Sequence, residues 1–122
     1  MTQKRKYRVL AIDDEPQMID WLKIILEQDG HEVRTGRVGV RGEEIFRTWR
    51  PDAVIIDMLL PDVDGLELLR RFKQSQPDVH VIVATGHATV PKAVEALKAG
   101  AYDFVEKSSD PEALLSRLRR AL

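Results

Sequence analysis

The sequence predicts a doubly wound α/β domain in which five parallel strands, in the order 2-1-3-4-5, carry helices on both faces. Two observations predict it. Short apolar stretches rich in Val and Ile alternate five times with longer stretches of helical period, the pattern of a parallel sheet crossed over by helices. The first, third and fourth of the short stretches are also the most apolar, as central strands buried on both faces must be.

Residues 8–12 form the first strand. The first helix starts at Pro16, suited to a first helical position because the missing N–H has no partner to lose there, and runs to residue 29. Ile19, Leu22, Ile25 and Leu26 form its buried stripe and Gly30 ends it. The second strand is 32–35. The helix after it, 40–50, carries Ile45, Phe46 and Trp49 but also Gly42, a poor helix former. The third strand is 53–56. Gly65 then precedes a clean amphipathic run, Leu66, Leu68, Leu69 and Phe72, that stops before Pro77. The fourth strand is 79–84, followed by a helix over 90–99 closed by Gly100. The fifth strand is 102–105, and a last helix over 111–122 opens with Asp110 as its cap. Five such units suggest the flavodoxin-like winding, whose ligand crevice lies at the carboxyl ends of strands one and three.

A chain of 122 residues is the size of one compact domain. With 43% hydrophobic and 32% charged residues and no cysteine, it needs neither disulfides nor a thiolate metal site, which fits a cytoplasmic protein. Nineteen Lys and Arg against twenty Asp and Glu leave a formal charge of -1, so no global basic field holds the domain on a nucleic-acid backbone. Residues 1–6, Met-Thr-Gln-Lys-Arg-Lys, read as a basic solvated leader before a domain over 7–122; they lack the apolar run of a signal peptide. No stretch has the apolar length needed to cross a bilayer.

The most unusual residues fall where the winding puts its crevice. Strand one ends in Ile12-Asp13-Asp14-Glu15 and strand three in Ile56-Asp57, so carboxylates converge. Such a cluster repels itself, and either raises a pKa or takes a cation; hard oxygen ligands of this kind suit a partly hydrated Mg²⁺. The plainer reading is that Asp13 and Asp14 only cap the first helix. Against it stand Thr85, at the end of strand four, and Lys107, just after strand five, because all strand ends of a parallel sheet share one edge. A donor and a cation can thus face Asp57.

Over essentially its full length the chain resembles the receiver domains of two-component response regulators. The matching segments are Leu10-Ala11-Ile12-Asp13-Asp14-Glu15, Val54-Ile55-Ile56-Asp57-Met58, Pro61-Asp62-Val63-Asp64-Gly65-Leu66-Glu67, Val83-Ala84-Thr85-Gly86-His87-Ala88 and Gly100-Ala101-Tyr102-Asp103-Phe104-Val105-Glu106-Lys107. The resemblance implies that Asp57 accepts a phosphoryl group from the phosphohistidine of a sensor histidine kinase. It further implies that Asp14 binds Mg²⁺ directly, Asp13 through water and Leu59 through its backbone carbonyl, with Thr85 and Lys107 on the phosphoryl oxygens. Phe104 would be the switch aromatic that turns inward when Thr85 moves, or an ordinary core aromatic. The fourth helix, fifth strand and fifth helix would form the output surface, open to a homodimer, with mixed charge from Lys92, Glu95, Lys98, Asp103, Glu106 and Arg117. Such a domain promotes its own phosphorylation and dephosphorylation, and is a signalling domain rather than an enzyme.

The stretch Thr85-Gly86-His87-Ala88-Thr89-Val90-Pro91-Lys92-Ala93-Val94 is most similar to receivers of enhancer-binding, sigma-54-dependent transcriptional activators. The chain is then expected to be either a fragment whose effector domain lies outside it or a complete single-domain regulator, with no direct nucleic-acid or membrane contact by the domain itself. Two departures stand out, one of them in the second helix, where Gly42 and Glu43 stand in place of the family's usual Ala and Leu, and the other after Lys107. Ser108 follows Lys107 where the family usually has Pro, and a cis bond before Ser costs several kcal/mol more than before Pro, so that loop is expected to be trans. Leu59 and His87, two residues beyond Asp57 and Thr85, are not acidic and supply no carboxylate to orient water on an acyl phosphate. A flavin carrier fits poorly, since Asp13-Asp14-Glu15 would repel the cofactor phosphate. An aspartate-based phosphatase needs a second Asp where Leu59 stands. A degenerate receiver, binding partners independently of phosphorylation, is the remaining rival.

Overall fold

The computed structural model describes residues 6–107 and 111–122. The leader up to Arg5, Ser108 and the expected cap Asp110 lie outside the described residues. The chain runs β1 (Arg8–Ile12), α1 (Pro16–Gln28), β2 (Glu32–Gly36), α2 (Gly39–Trp49), β3 (Ala53–Ile56), α3 (Gly65–Ser75), β4 (His80–Thr85), α4 (Val90–Lys98), β5 (Asp103–Glu106) and α5 (Pro111–Ala121). The strands form one sheet in the order β2-β1-β3-β4-β5, every pairing parallel, as the alternation of apolar runs predicts.

Strand pleating divides the core in two, because successive side chains leave opposite faces. Leu10, Ile12, Val54, Ile56, Val81 and Val83 point to one face and pack with Ile45, Phe46 and Trp49 of α2, Leu66, Leu68, Leu69 and Phe72 of α3, and Ala96 of α4. Val9, Ala11, Ile55, Ile82, Ala84 and Val105 point to the other and meet Ile19, Leu22 and Leu26 of α1 and Leu114 and Leu118 of α5. Burying one such side chain contributes roughly 1.5–3 kcal/mol, so these two layers carry the fold. The Phe46 and Phe72 rings stack at 4.1 Å, joining α2 to α3.

Several local expectations change at the edges. Ile25 is only half-buried at the rim of the α1 layer, rather than part of its buried stripe. Strand β4 begins at His80, since the Val79 amide bonds the Gln76 carbonyl in a turn (3.0 Å), and it extends to Thr85; β5 is shifted one residue later, to Glu106. Gly42 has a packing reason that its low propensity hides. A Cβ there would fall within contact distance of Ile12, 2.7 Å from its Cγ1, so α2 lies closer to β1 than any side chain at 42 would allow. Gly30 and Gly100 end α1 and α4 with φ of 95° and 106°, the left-handed conformation expected of helix-stopping glycines.

Candidate functional site

Asp13, Asp57 and Lys107 are each the first residue to leave a strand, and Thr85 is the last in its own. Backbone hydrogen bonds continue the sheet one step further: Asp13 N–H donates to the Gly36 carbonyl (3.1 Å), Asp57 N–H to that of Ile12 (3.0 Å) and Lys107 N–H to that of Thr85 (2.8 Å). The sheet itself therefore sets the spacing of these side chains.

The Lys107 ammonium sits among three carboxylates. Its Nζ lies 2.6 Å from Asp13 Oδ2, 2.7 Å from Asp57 Oδ2 and 2.9 Å from Glu15 Oε1. Asp13 and Asp57 are buried, at 3% and 5% exposure, so these are charge-assisted contacts largely out of water. The second oxygen of each is held by its own loop: Asp13 Oδ1 accepts from Glu15 N–H (3.0 Å) and Asp57 Oδ1 from Leu59 N–H (3.2 Å). Burial alone would lower the Lys107 pKa, but hydrogen bonds to Asp13, Asp57 and Glu15 reverse this and hold it above the ordinary lysine value. Asp13 is pushed up by burial despite the Lys107 and Glu15 N–H contacts that pull it down.

The capping alternative for Asp13 and Asp14 does not describe the site. Glu15 occupies the cap position of α1 and makes no side-chain cap bond, while Asp13 is committed to Lys107. Asp13, Asp14 and Asp57 each bring a carboxylate oxygen within 4.8 Å of the others. One ammonium among this many carboxylates leaves negative charge uncompensated, and hard oxygen donors fit a small divalent cation.

Sequence reasoning expected Asp13, Asp14, Asp57 and Lys107 to converge, and they do. Thr85 closes β4 fully buried, bonded through its carbonyl to Lys107, while its hydroxyl oxygen accepts from His87 N–H (3.2 Å) in its own loop. Leu59 exposes its side chain and pairs through its backbone with Asp64 in an isolated antiparallel bridge. Phe104 is half-buried against the layer formed by α2, α3 and α4.

Two residues carry contacts that the sequence did not assign. Glu15 completes the lysine clamp across 92 positions of chain, and its only forewarning was its place in an acidic run. Asp62 accepts from Gly39 N–H through Oδ1 (2.7 Å) and from Val40 N–H through Oδ2 (2.9 Å), closing the amino end of α2. These N–H donors, Val40 foremost and then Gly39, hold the Asp62 carboxyl below its ordinary value of 3.8. A lowered folded-state pKa means that Asp62 stabilises the protein fully above the unfolded value, and that this contribution is lost as pH falls through the folded one. The stability gap between wild type and Asp62→Asn in urea unfolding is therefore expected to be wider at about pH 7 than at about pH 3. An equal gap at both would show that the carboxylate has no such linkage.

The winding and its carboxylate- and lysine-lined crevice place the chain among α/β signalling domains. It belongs to the response regulator receiver domains: the family model of that description matches residues 9–119. Among curated proteins, the C4-dicarboxylate transport transcriptional regulatory protein DctD of Pseudomonas aeruginosa is 40% identical over 116 residues, covering 94% of this chain and 25% of the relative. The transcriptional regulatory protein TrcR of Mycobacterium tuberculosis is 36% identical over 115 residues, covering 94% and 45%. The chain thus spans between a quarter and a half of these relatives. Among solved structures, a CheY-like receiver domain protein from Methanospirillum hungatei superposes with a TM-score of 0.87 at 30% identity, over 95% of this chain and 93% of that one. NtrX from Brucella abortus gives 0.87 at 33%, over 97% and 28%. No described helix is long and apolar enough to cross a membrane.

Proposed function

We propose that Asp57 is the phosphoacceptor of this receiver domain, served by Asp13, Asp14, Lys107 and Thr85. The observation that carries the reading is the Lys107 ammonium held against both Asp13 and Asp57 at the end of the central strands. An Asp57 carboxylate oxygen attacks the phosphorus of a phosphohistidine on a sensor histidine kinase; the new O–P bond forms as the P–N bond breaks, leaving an acyl phosphate and a free imidazole. No general base is needed, because the carboxylate has no proton to lose at neutral pH. Asp13, Asp14, Asp57 and the Leu59 carbonyl would hold Mg²⁺, which when bound supplies positive charge against the phosphoryl oxygens. Lys107 is already charged and in contact with Asp57, so the site needs little reorganisation to neutralise an incoming oxygen. The same pocket, opened to water, would return Asp57 to its free form, with no carboxylate at Leu59 or His87 to speed that step.

Thr85 is the residue that reads the new charge. Among the described residues its hydroxyl oxygen accepts from His87 N–H, which leaves its proton to donate to a phosphoryl oxygen. Phe104, half-buried on β5 and in register with Val83, is the switch aromatic. The output surface is α4, β5 and α5. Val90, Val94 and Leu97 stand exposed at helical spacing on α4, and Arg117 of α5 forms a two-point ion pair with Asp103 of β5 at 2.7 and 3.2 Å. This mixture of apolar and paired charged groups suits a homodimer or an effector domain. The transcriptional regulators to which the chain is similar support a cytoplasmic, sigma-54-type activator with an effector domain outside this chain.

Incubation with Mg²⁺ and acetyl phosphate, read by intact mass, is expected to add one phosphoryl group, to add none to Asp57→Ala and to add much less to Asp14→Ala. Absence of any gain, from acetyl phosphate and from histidine kinases alike, would instead identify an interaction module that works without phosphorylation.

A further inference from the structure

Helix α2 cannot close its own amino end. The first N–H groups of any helix have no partner inside it, and the cap position of α2 is Val38, which has no side-chain acceptor. The acceptor comes from the 58–64 turn that follows Asp57, where Asp62 takes the Gly39 and Val40 N–H groups with separate oxygens. A carboxylate at this end is also favoured by the helix dipole. The fit is close on both sides: a Cβ on Gly39 would collide with Val63, so the turn presses directly on the helix.

Leu60 and Val63 of that turn pack on the core layer, and its other hydrogen bonds among the described residues lie near its ends. Gly65 N–H donates to the Met58 carbonyl (2.9 Å), Asp64 accepts from Leu66 N–H (2.9 Å) and bridges to Leu59, and Leu59 N–H donates to Asp57 Oδ1 (3.2 Å). Asp62, at its outer part, ties it to a second element of the fold. We infer that Asp62 is a positioning residue of the metal site, fixing the 58–64 turn against α2 and so holding the Leu59 main chain beside Asp57. The inference rests on the proposed role of the Leu59 carbonyl as a metal ligand.

Calorimetric titration with Mg²⁺, paired with thermal unfolding, tests it on four proteins: wild type, Asp62→Ala, Asp62→Asn and the double variant Asp62→Ala with Val38→Ser. Asn has the same charge as Ala at this position but retains one acceptor. Serine at 38, where the backbone is extended (φ -135°, ψ 159°), gives α2 a cap of its own without restoring the tie to the turn. The expected result is Mg²⁺ binding weakened about tenfold in Asp62→Ala, as for loss of other groups that orient metal ligands, and weakened less in Asp62→Asn. The double variant should regain thermal stability and keep the weakened binding. Wild-type affinity in Asp62→Ala, equal losses in Ala and Asn, or recovery of affinity along with stability in the double variant would each overturn the positioning role. A wild-type protein that takes up no Mg²⁺ would overturn the metal reading itself, and this inference with it.

Discussion

Replacing Gly65 by alanine is expected to destabilise the domain by about 3 kcal/mol or more, enough to leave a large unfolded fraction in a protein of ordinary stability. A Cβ there would collide with the Asp57 carbonyl oxygen and sit 2.7 Å from Met58 Cα. Both obstacles are backbone, which a side-chain rotation cannot relieve. Moving them would break the Gly65–Met58 and Asp57–Ile12 hydrogen bonds that fix the carboxyl end of β3. Urea unfolding of Gly65→Ala checks this, and a loss below about 1 kcal/mol would mean that the turn yields far more easily than its contacts imply.

Lys107→Met is the second substitution expected to have a large effect. It retains much of the stem but removes the ammonium, leaving Asp13 and Asp57 buried without their shared counter-charge. Removing one partner of a buried ion pair costs about 3–5 kcal/mol, and the lower end suits a site where Glu15 remains exposed to water. Two signatures distinguish this from general damage. Mg²⁺ should restore part of the lost stability, by supplying the missing charge. Lowering the pH from about 7 to about 5 should also help the variant more than it helps wild type: with Lys107 gone, the folded-state pKa of Asp13, already raised by burial, rises further, and a carboxyl pKa raised on folding makes acid stabilising. A variant as stable as wild type and indifferent to both would show that the clamp carries little energy.

Much of this was legible in the sequence for a simple reason. In a parallel sheet every strand ends at the same edge, so identifying strands by their apolar runs also places Asp13, Asp57 and Lys107 near one another. What escaped was long-range and local to atoms. The tie from Asp62 to α2 joins a side chain to backbone N–H groups 22 and 23 residues away, and no periodicity records a backbone donor in need. Gly42 was visible only as a weak point of α2, because the Ile12 side chain that requires it lies on another element. Thr85 was placed correctly at its strand end, but the hydroxyl's bond to His87 N–H depends on how the following loop turns, which residue type alone does not encode.

The pleat of β4 has one more consequence. Thr85 shares its side of the strand with Val81 and Val83, and the same layer receives Phe104, whereas Ile82, Ala84 and Val105 enter the opposite one. On the proposed reading, a rearrangement that starts at Thr85 is therefore expected to enter the α2–α4 layer first and to reach α5 only by way of β5. The layer that holds α1 would then serve as the steadier handhold.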